Sequence, residues 1–370
     1  MTAAANAIAE AGAAGELGSM RHWVFEETIG KFDIDLGDSH VQCSTVGQFQ
    51  ISADLELNYG FDRGSPELIR LVAQRYGGSP EHVVITHGAQ EALYLLYCTL
   101  LRPGDRVIAF RPGWQQAWQA PQRLGCRVEV MDLAEDFSID LAELAEVDPS
   151  GLRLITVNSP TNPTGRRIRA EEFTALLELA ERADAYLVVD EEYLLDLSTS
   201  PAVLHDRAIS VSSLSKTAGV PGLRVGWMYG PPEVVSACAE YKHLTTISNS
   251  VLCEALAADV LRHWDRYERQ YQRLTGAGLG LLQEFTARHS DLLRLTPPEG
   301  TPFAWLRLLT GGSSMAFARQ VLETGVLLMP AETLGTTGGI RISFAREPAV
   351  LAEGLARIEG VLTGLTRLTE

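Results

Sequence analysis

The sequence predicts an α/β protein, with a large domain on a mostly parallel sheet flanked by helices and a smaller α+β domain after it. Three observations predict it. From about residue 65, short runs nearly continuous in Val, Ile and Leu alternate with longer helical patterns, as strands buried on both faces do. Past residue 289 that alternation gives way to strands and helices in a different order. The chain has 370 residues, more than one average domain. These place an N-terminal segment joining the small domain at 1–50, the large domain at 51–289 and the small domain at 290–370.

The elements follow in order. Ser65-Pro66-Glu67 opens a helix with a capping hydroxyl and a proline in the first turn, leading into Leu68, Ile69, Leu71 and Val72. His82–Thr86 reads as a strand, Ala89–Leu101 as a helix and Arg106–Phe110 as a strand again. Further strands fit Arg127–Met131, Leu152–Val157, Tyr186–Asp190, Ala208–Val211 and Arg224–Met228, with a helix over Ala170–Ala183. Leu256–His289 contains no proline and reads as one long helical tract. In the last part, Thr301–Leu308, Val326–Met329 and Gly339–Phe344 read as strands, with helices near Ser313–Glu323 and Pro348–Leu362.

Composition narrows the function. The formal net charge of −16 argues against nucleic acid as a partner, because phosphate neutralisation needs clustered Lys and Arg. No apolar stretch reaches the ~20 residues that cross a bilayer, and Met1–Gly18 lacks the basic start of a secretory signal. The five cysteines are scattered, with no metal-ligand spacing, and read as reduced, buried thiols of a cytoplasmic protein. No His-Glu-x-x-His, Cys-x-x-Cys or Walker-type glycine loop appears, so metal and nucleotide readings have no anchor.

Three segments carry the chemistry: Asn158-Ser159-Pro160-Thr161-Asn162-Pro163-Thr164-Gly165, Asp190-Glu191-Glu192-Tyr193, and Ser212–Trp227 with Lys216 and Arg224. In order and spacing they resemble the class I/II aminotransferase family of fold-type I pyridoxal phosphate (PLP) enzymes, and the resemblance runs from about Tyr59 to the C-terminus. PLP has a carbonyl, a pyridine nitrogen, a phenolic oxygen and a phosphate, each of which needs its own protein group. Lysine is confined to Lys31, Lys216 and Lys242. Lys216, in its motif, is the candidate for the Schiff base, although a lone loop lysine is ordinarily a surface residue.

Asp190 ends a strand, where ligands of open α/β sheets sit, and is placed to keep the pyridine nitrogen protonated. Three adjacent acids would otherwise suit an exposed strand end, and the spacing to Tyr193 selects Asp190. The resemblance implies that Tyr193 and Asn162 bond the phenolic oxygen; Asn-Pro-Thr-Gly is also turn chemistry in its own right. Gly88, Ala89 and Gln90 precede a helix and offer backbone amides to the phosphate, or simply a helix entry. Ser213 and Arg224 complete the phosphate site by resemblance. Trp114 falls where the family stacks a ring on the cofactor, and is otherwise a core residue.

The resemblance further implies a homodimer in which Tyr59 reaches the neighbouring subunit's phosphate. It implies too that Arg341 grips the substrate's α-carboxylate, where an outward edge-strand arginine is the alternative. The segment Ile34–Gln42 is unusually polar for the family, and Ala331 follows Pro330 where glycine is commoner. The first departure resembles biosynthetic PLP enzymes that include the capreomycidine synthase-like arginine cyclases, and makes His40 a candidate substrate contact. The expected function is an aminotransferase acting on an L-amino acid through an external aldimine and α-proton abstraction. β/γ-Elimination, replacement or cyclisation is the alternative, and a non-catalytic PLP-binding sensor the reading from another class.

Overall fold

In the computed structural model, which describes residues 20–369, thirteen strands fall into three sheets. In chain order they are β1 (Ile34–Asp35), β2 (Val83–Thr86), β3 (Arg106–Arg111), β4 (Arg127–Asp132), β5 (Leu152–Asn158), β6 (Tyr186–Asp190), β7 (Ala208–Ser213), β8 (Gly226–Tyr229), β9 (Leu293–Thr296), β10 (Phe303–Leu308), β11 (Val326–Leu327), β12 (Met329–Pro330) and β13 (Gly339–Ser343). Seven of them form the large sheet, ordered β2-β8-β7-β6-β5-β3-β4. The pairs from β7 through β4 are parallel, and β8 runs antiparallel to both β7 and β2. The parallel strands are buried on both faces, as their uniform Val/Ile/Leu content requires: Val107, Ile108, Leu154, Ile155, Val188 and Val189 are all fully enclosed.

The helices form where caps and periodicity agree. Ser65 caps Pro66–Tyr76 by accepting from Leu68 N, and Gly77 ends that helix in the left-handed region at φ 66°. Ala170–Ala183 starts and stops where its periodicity predicts. The helical tract expected over 256–289 is two helices, Val251–Arg262 and Trp264–Arg288. His263 leaves helical geometry between them (φ −110°, ψ 29°) although no proline is present. The second helix itself serves two cores: Trp264 and Tyr267, with Ala257 and Val260 from the first, pack under the large sheet, while Leu282 and Phe285 pack into the second core.

That second core surrounds the antiparallel sheet β12-β13-β10-β9 and the short parallel pair β1-β11. Trp23, Ile34 and Leu36 from the N-terminal segment belong to it, and the Trp23 indole donates to Leu328 O at 2.9 Å. The reading of Met1–Gly18 lies outside the described residues. Of the cysteines expected to be buried, Cys126 and Cys238 are, Cys98 and Cys253 are partly so, and Cys43 is exposed because it lies on the surface loop after the 35–40 turn. Among the described residues no helix is long and apolar enough to cross a membrane.

The strand expected at Arg224–Met228 starts later, at Gly226. A 3-10 turn over Pro221–Leu223 and a left-handed Arg224 (φ 51°) precede it. This detour turns the Arg224 guanidinium toward Gly88 and the helix Ala89–Leu100.

Candidate active site

The C-terminal ends of β5 and β6 set Asn158 beside Asp190, and on β7 Val211 lies opposite Asp190, with Ser213 at the strand's end and Lys216 in the loop after it. An open α/β sheet presents its ligand site at this edge. The adjoining cleft is lined by Phe110, Trp114, Asn158, Thr161, Arg166 and Asp190. The Trp114 indole donates to Gln90 Oε1 at 2.9 Å, which ties the ring to the N-terminus of Ala89–Leu100.

At that helix start Gly88 has φ 77°, and a side chain on it would collide with the Arg224 guanidinium. A Cβ on Gly226 would lie 2.6 Å from Ala89 N and from the Gly88 carbonyl carbon. Two glycines thus let β8, Arg224 and the helix N-terminus close into a backbone-walled cup. Arg224 Nη1 donates to Pro221 O at 3.0 Å, and Ser213 Oγ accepts from Ser215 N at 3.0 Å.

Asp190 is partly buried at the edge of the cleft, and no cation is bonded to it. Burial, then the Glu192 charge, push its carboxyl up to about 8, against the opposing Glu192 N–H bond and Lys216 charge. Asn158, not singled out in the sequence, donates to Asp190 O at 2.8 Å and accepts from Asn162 N. Tyr193 is buried, donates to Ser39 Oγ at 3.1 Å and meets Phe303 edge-on at 4.9 Å.

Arg341 reaches the site from β13. It is buried, donates from Nη1 to Asn162 Oδ1 at 2.7 Å and from Nη2 to Gly37 O, and its Nε has no partner. It therefore joins the large sheet, the small sheet and the N-terminal segment at one point. Arg346, also absent from the sequence reading, donates to the carbonyls of Asp35, Asp38 and His40 and so moulds the 35–40 turn over the site.

Within that turn His40 has little left to offer a substrate. Its Nδ1 lies 2.7 Å from Val41 O and its Nε2 3.2 Å from Asp38 Oδ2. Burial would lower its pKa, but the Asp38 bond and charge, with Cys43 beside it, raise it to about 9, so the ring is an imidazolium. Asp38 is the half-exposed member of the pair. Desolvation would raise its carboxyl, but the bond from His40 and the charges of His40, Lys216 and Arg341 hold it well below the usual carboxylate range. Tyr59 stands apart from all of these: it is 83% exposed on the surface, bordering a shallow groove with Leu57 and Val251.

The donor set suits PLP. An amine, a partly buried carboxyl lacking a cation, a helix N-terminus with an arginine, and an indole beside the cleft match a carbonyl, a ring nitrogen, a phosphate and an aromatic face.

Known proteins point the same way. Residues 43–358 match the family model for aminotransferase class I and II. The chain is 28% identical over 335 residues to the aspartate aminotransferase of Thermotoga maritima, covering 83% of this chain and 84% of that one. It is 32% identical over 306 residues to the capreomycidine synthase of Streptomyces vinaceus, covering 80% and 78%. The crystal structure of a PLP-dependent aminotransferase from Streptococcus suis superposes with a TM-score of 0.84 at 27% identity, over 90% of this chain and 94% of the other.

Proposed function

We propose how this chain, which belongs to the aminotransferase class I and II family, carries out that family's PLP-dependent chemistry on an amino acid. The observation that carries the reading is the meeting of Lys216, Asp190, Asn162 and Arg341 at one sheet edge. PLP, when bound, supplies an electron sink for the charge left on the substrate's α-carbon. Lys216 would hold the cofactor carbonyl, and its amine, once free, would take the α-proton as general base. Asp190 would serve the ring nitrogen, while Arg224, Ser213 and the amides of Gly88, Ala89 and Gln90 would hold the phosphate. Trp114 would cover the ring, Tyr193 and Asn162 would serve the phenolic oxygen, and Arg341 would grip the α-carboxylate with Asn162 beside it.

Where Lys216 then delivers its proton decides the outcome. Amino transfer, the primary reading, would need Lys216 to hand that proton on rather than return it to the α-carbon. Departure of a leaving group from the side chain instead opens elimination or ring closure. That second reading is favoured by the 32% identity to capreomycidine synthase together with the polar Asp38–His40 pair. Absorbance of the loaded enzyme as single amino acids are added separates the two. Conversion to the amine form of the cofactor with release of a keto acid marks amino transfer, and a cyclic product without keto acid marks the other.

Asp38 sets the preference among side chains. A carboxylate kept ionised beside Lys216 and Arg341, and half open to solvent, favours a cationic or hydrogen-bonding substrate side chain over Leu or Phe. Asp38→Asn is expected to raise KM for Arg and Lys by about ten- to a hundred-fold, the worth of a charged hydrogen bond, with little change for neutral amino acids. His40→Ala should erode the same preference by loosening Asp38. Equal losses across cationic and apolar substrates would return the pair to a structural role.

The active unit in this reading is a homodimer working in the cytoplasm; its cysteines are all free thiols. Tyr59, beside exposed Leu57 in the groove with Val251, faces the partner subunit and reaches that subunit's phosphate site. A dead Lys216→Ala chain mixed with a dead Tyr59→Ala chain is expected to regain part of the activity, since a hybrid dimer holds one site with both native groups. A fully active monomer by light scattering would remove Tyr59 from the site.

A further inference from the structure

Glu192 has no part in the roles above, yet it stands among the residues that fill them. It is 7% exposed, and its Oε1 has no hydrogen-bond partner. Its backbone N–H donates to Asp190 Oδ1 at 3.2 Å, which fixes the two acids on one turn. Its carboxyl faces the Ser213 hydroxyl, Lys216 and Arg224, and it repels Asp190. On the reading above, Ser213 and Arg224 hold the cofactor phosphate, so this acid stands at the anion's own site.

A phosphate ester brings between about one and a half and two negative charges at neutral pH. One arginine cannot neutralise it and a carboxylate together, and of two anions sharing a site one takes a proton. Burial already raises the Glu192 carboxyl, opposed by the Lys216 charge, the Ser213 hydroxyl and the Arg224 charge. We propose that Glu192 is a cofactor-binding residue that works as a neutral acid: loading PLP draws a proton onto it, and its O–H then donates to the phosphate. The inference rests on the proposed phosphate site and adds to it that cofactor retention is proton-linked.

The sign follows from linkage. A carboxyl whose pKa is higher in the loaded protein than in the cofactor-free one binds a proton on loading between those two values. Its contribution to affinity is constant below the lower pKa and falls by up to about tenfold per pH unit above it. Asp190, Tyr193, Lys216 and Arg224 face Glu192, and the Glu192 charge raises the Asp190 carboxyl, so the comparison is repeated with Asp190→Asn in both proteins, where the difference reports Glu192.

The test measures the affinity of cofactor-free wild type and Glu192→Gln for PLP between pH 6 and 9. Proton uptake is measured at pH 8 by calorimetry in two buffers of different ionisation enthalpy. Gln keeps a donor without a titrating proton, so E192Q is expected to match wild type near pH 6 and to bind at least tenfold tighter near pH 9. Wild type should take up close to one proton more than E192Q. Circular dichroism checks folding; if E192Q is unfolded, Glu192→Ala replaces it, with weaker binding at pH 6 and the same loss of pH dependence. Parallel affinity curves with equal proton uptake would overturn the proposal. So would E192Q binding weakly at every pH, which would make Glu192 a working anion. Failure of wild type itself to bind PLP would overturn the proposed function, and this inference with it.

Discussion

Lys216→Ala is expected to reduce turnover by at least about four orders of magnitude, the full range of a general base, while leaving the fold intact. The same substitution removes the amine that holds the cofactor, so two separate readouts should fail together. Borohydride treatment of the loaded wild type followed by peptide mapping should place the cofactor on Lys216, and the Ala variant should lose the mark. Lys242 is the informative control. It is buried, but its ammonium donates to Asp62 O at 2.8 Å and feels the charges of Glu91 and Glu254. A modified Lys242 or Lys31 in place of Lys216 would overturn the assignment. Small solvent-accessible amines should restore part of the α-proton transfer to the Ala variant, since the cavity left by the side chain opens on the same carbon.

The large sheet and the motif residues on it were legible for one physical reason. Strands buried on both faces are continuous in β-branched and aliphatic residues, and ligand-binding residues follow at their C-terminal ends. Elements covered on one face only were harder. The helix Gln116–Arg123 carries Pro121 inside it and was not anticipated, nor was Pro232–His243, whose two buried valines and Cys238 give a weak stripe. The edge strand β9, Leu-Arg-Leu-Thr, is too short to stand out. The break at His263 has no sequence breaker, and the residues just beyond it, Trp264 and Tyr267, still pack in the core that the first helix serves.

Within the site, side chains that act through others left the least trace. Asn158 and Arg346 act on backbone groups of segments remote from them in sequence, which only the fold brings together. His40 drew attention as a polar residue in a polar turn, while Asp38 beside it keeps the open carboxylate. Glu192 was hidden by its neighbours: three consecutive acids look alike in sequence, Glu191 shares its burial and an unpartnered oxygen, and only the Lys216 and Arg224 charges beside it set Glu192 apart.

Asp190→Asn is expected to slow α-proton removal by roughly three orders of magnitude, about 4 kcal/mol for losing a preorganised charge opposite a developing carbanion. Asn keeps the shape and the carbonyl oxygen but cannot hold a proton on the ring nitrogen. A chemical step slowed with an unchanged KM locates the loss in the transition state rather than in binding. The cofactor-free protein supplies an independent check. There Asp190 has a folded-state pKa near 8, far above the ordinary carboxylate value, through burial first and the Glu192 charge second. A raised pKa gives stability that is fully present below the unfolded value near 4 and lost as pH rises through 8. Cofactor-free wild type should therefore lose Tm between pH 4 and 8 more steeply than cofactor-free Asp190→Asn, which has no charge to bury there. Loading should reverse the order, because a cationic ring nitrogen turns the buried carboxylate from a cost into half of an ion pair. The gap in Tm between loaded and free protein then widens with pH in wild type more than in the variant. Equal pH slopes for the two cofactor-free proteins, with near-native turnover in Asp190→Asn, would move the ring-nitrogen contact to another residue.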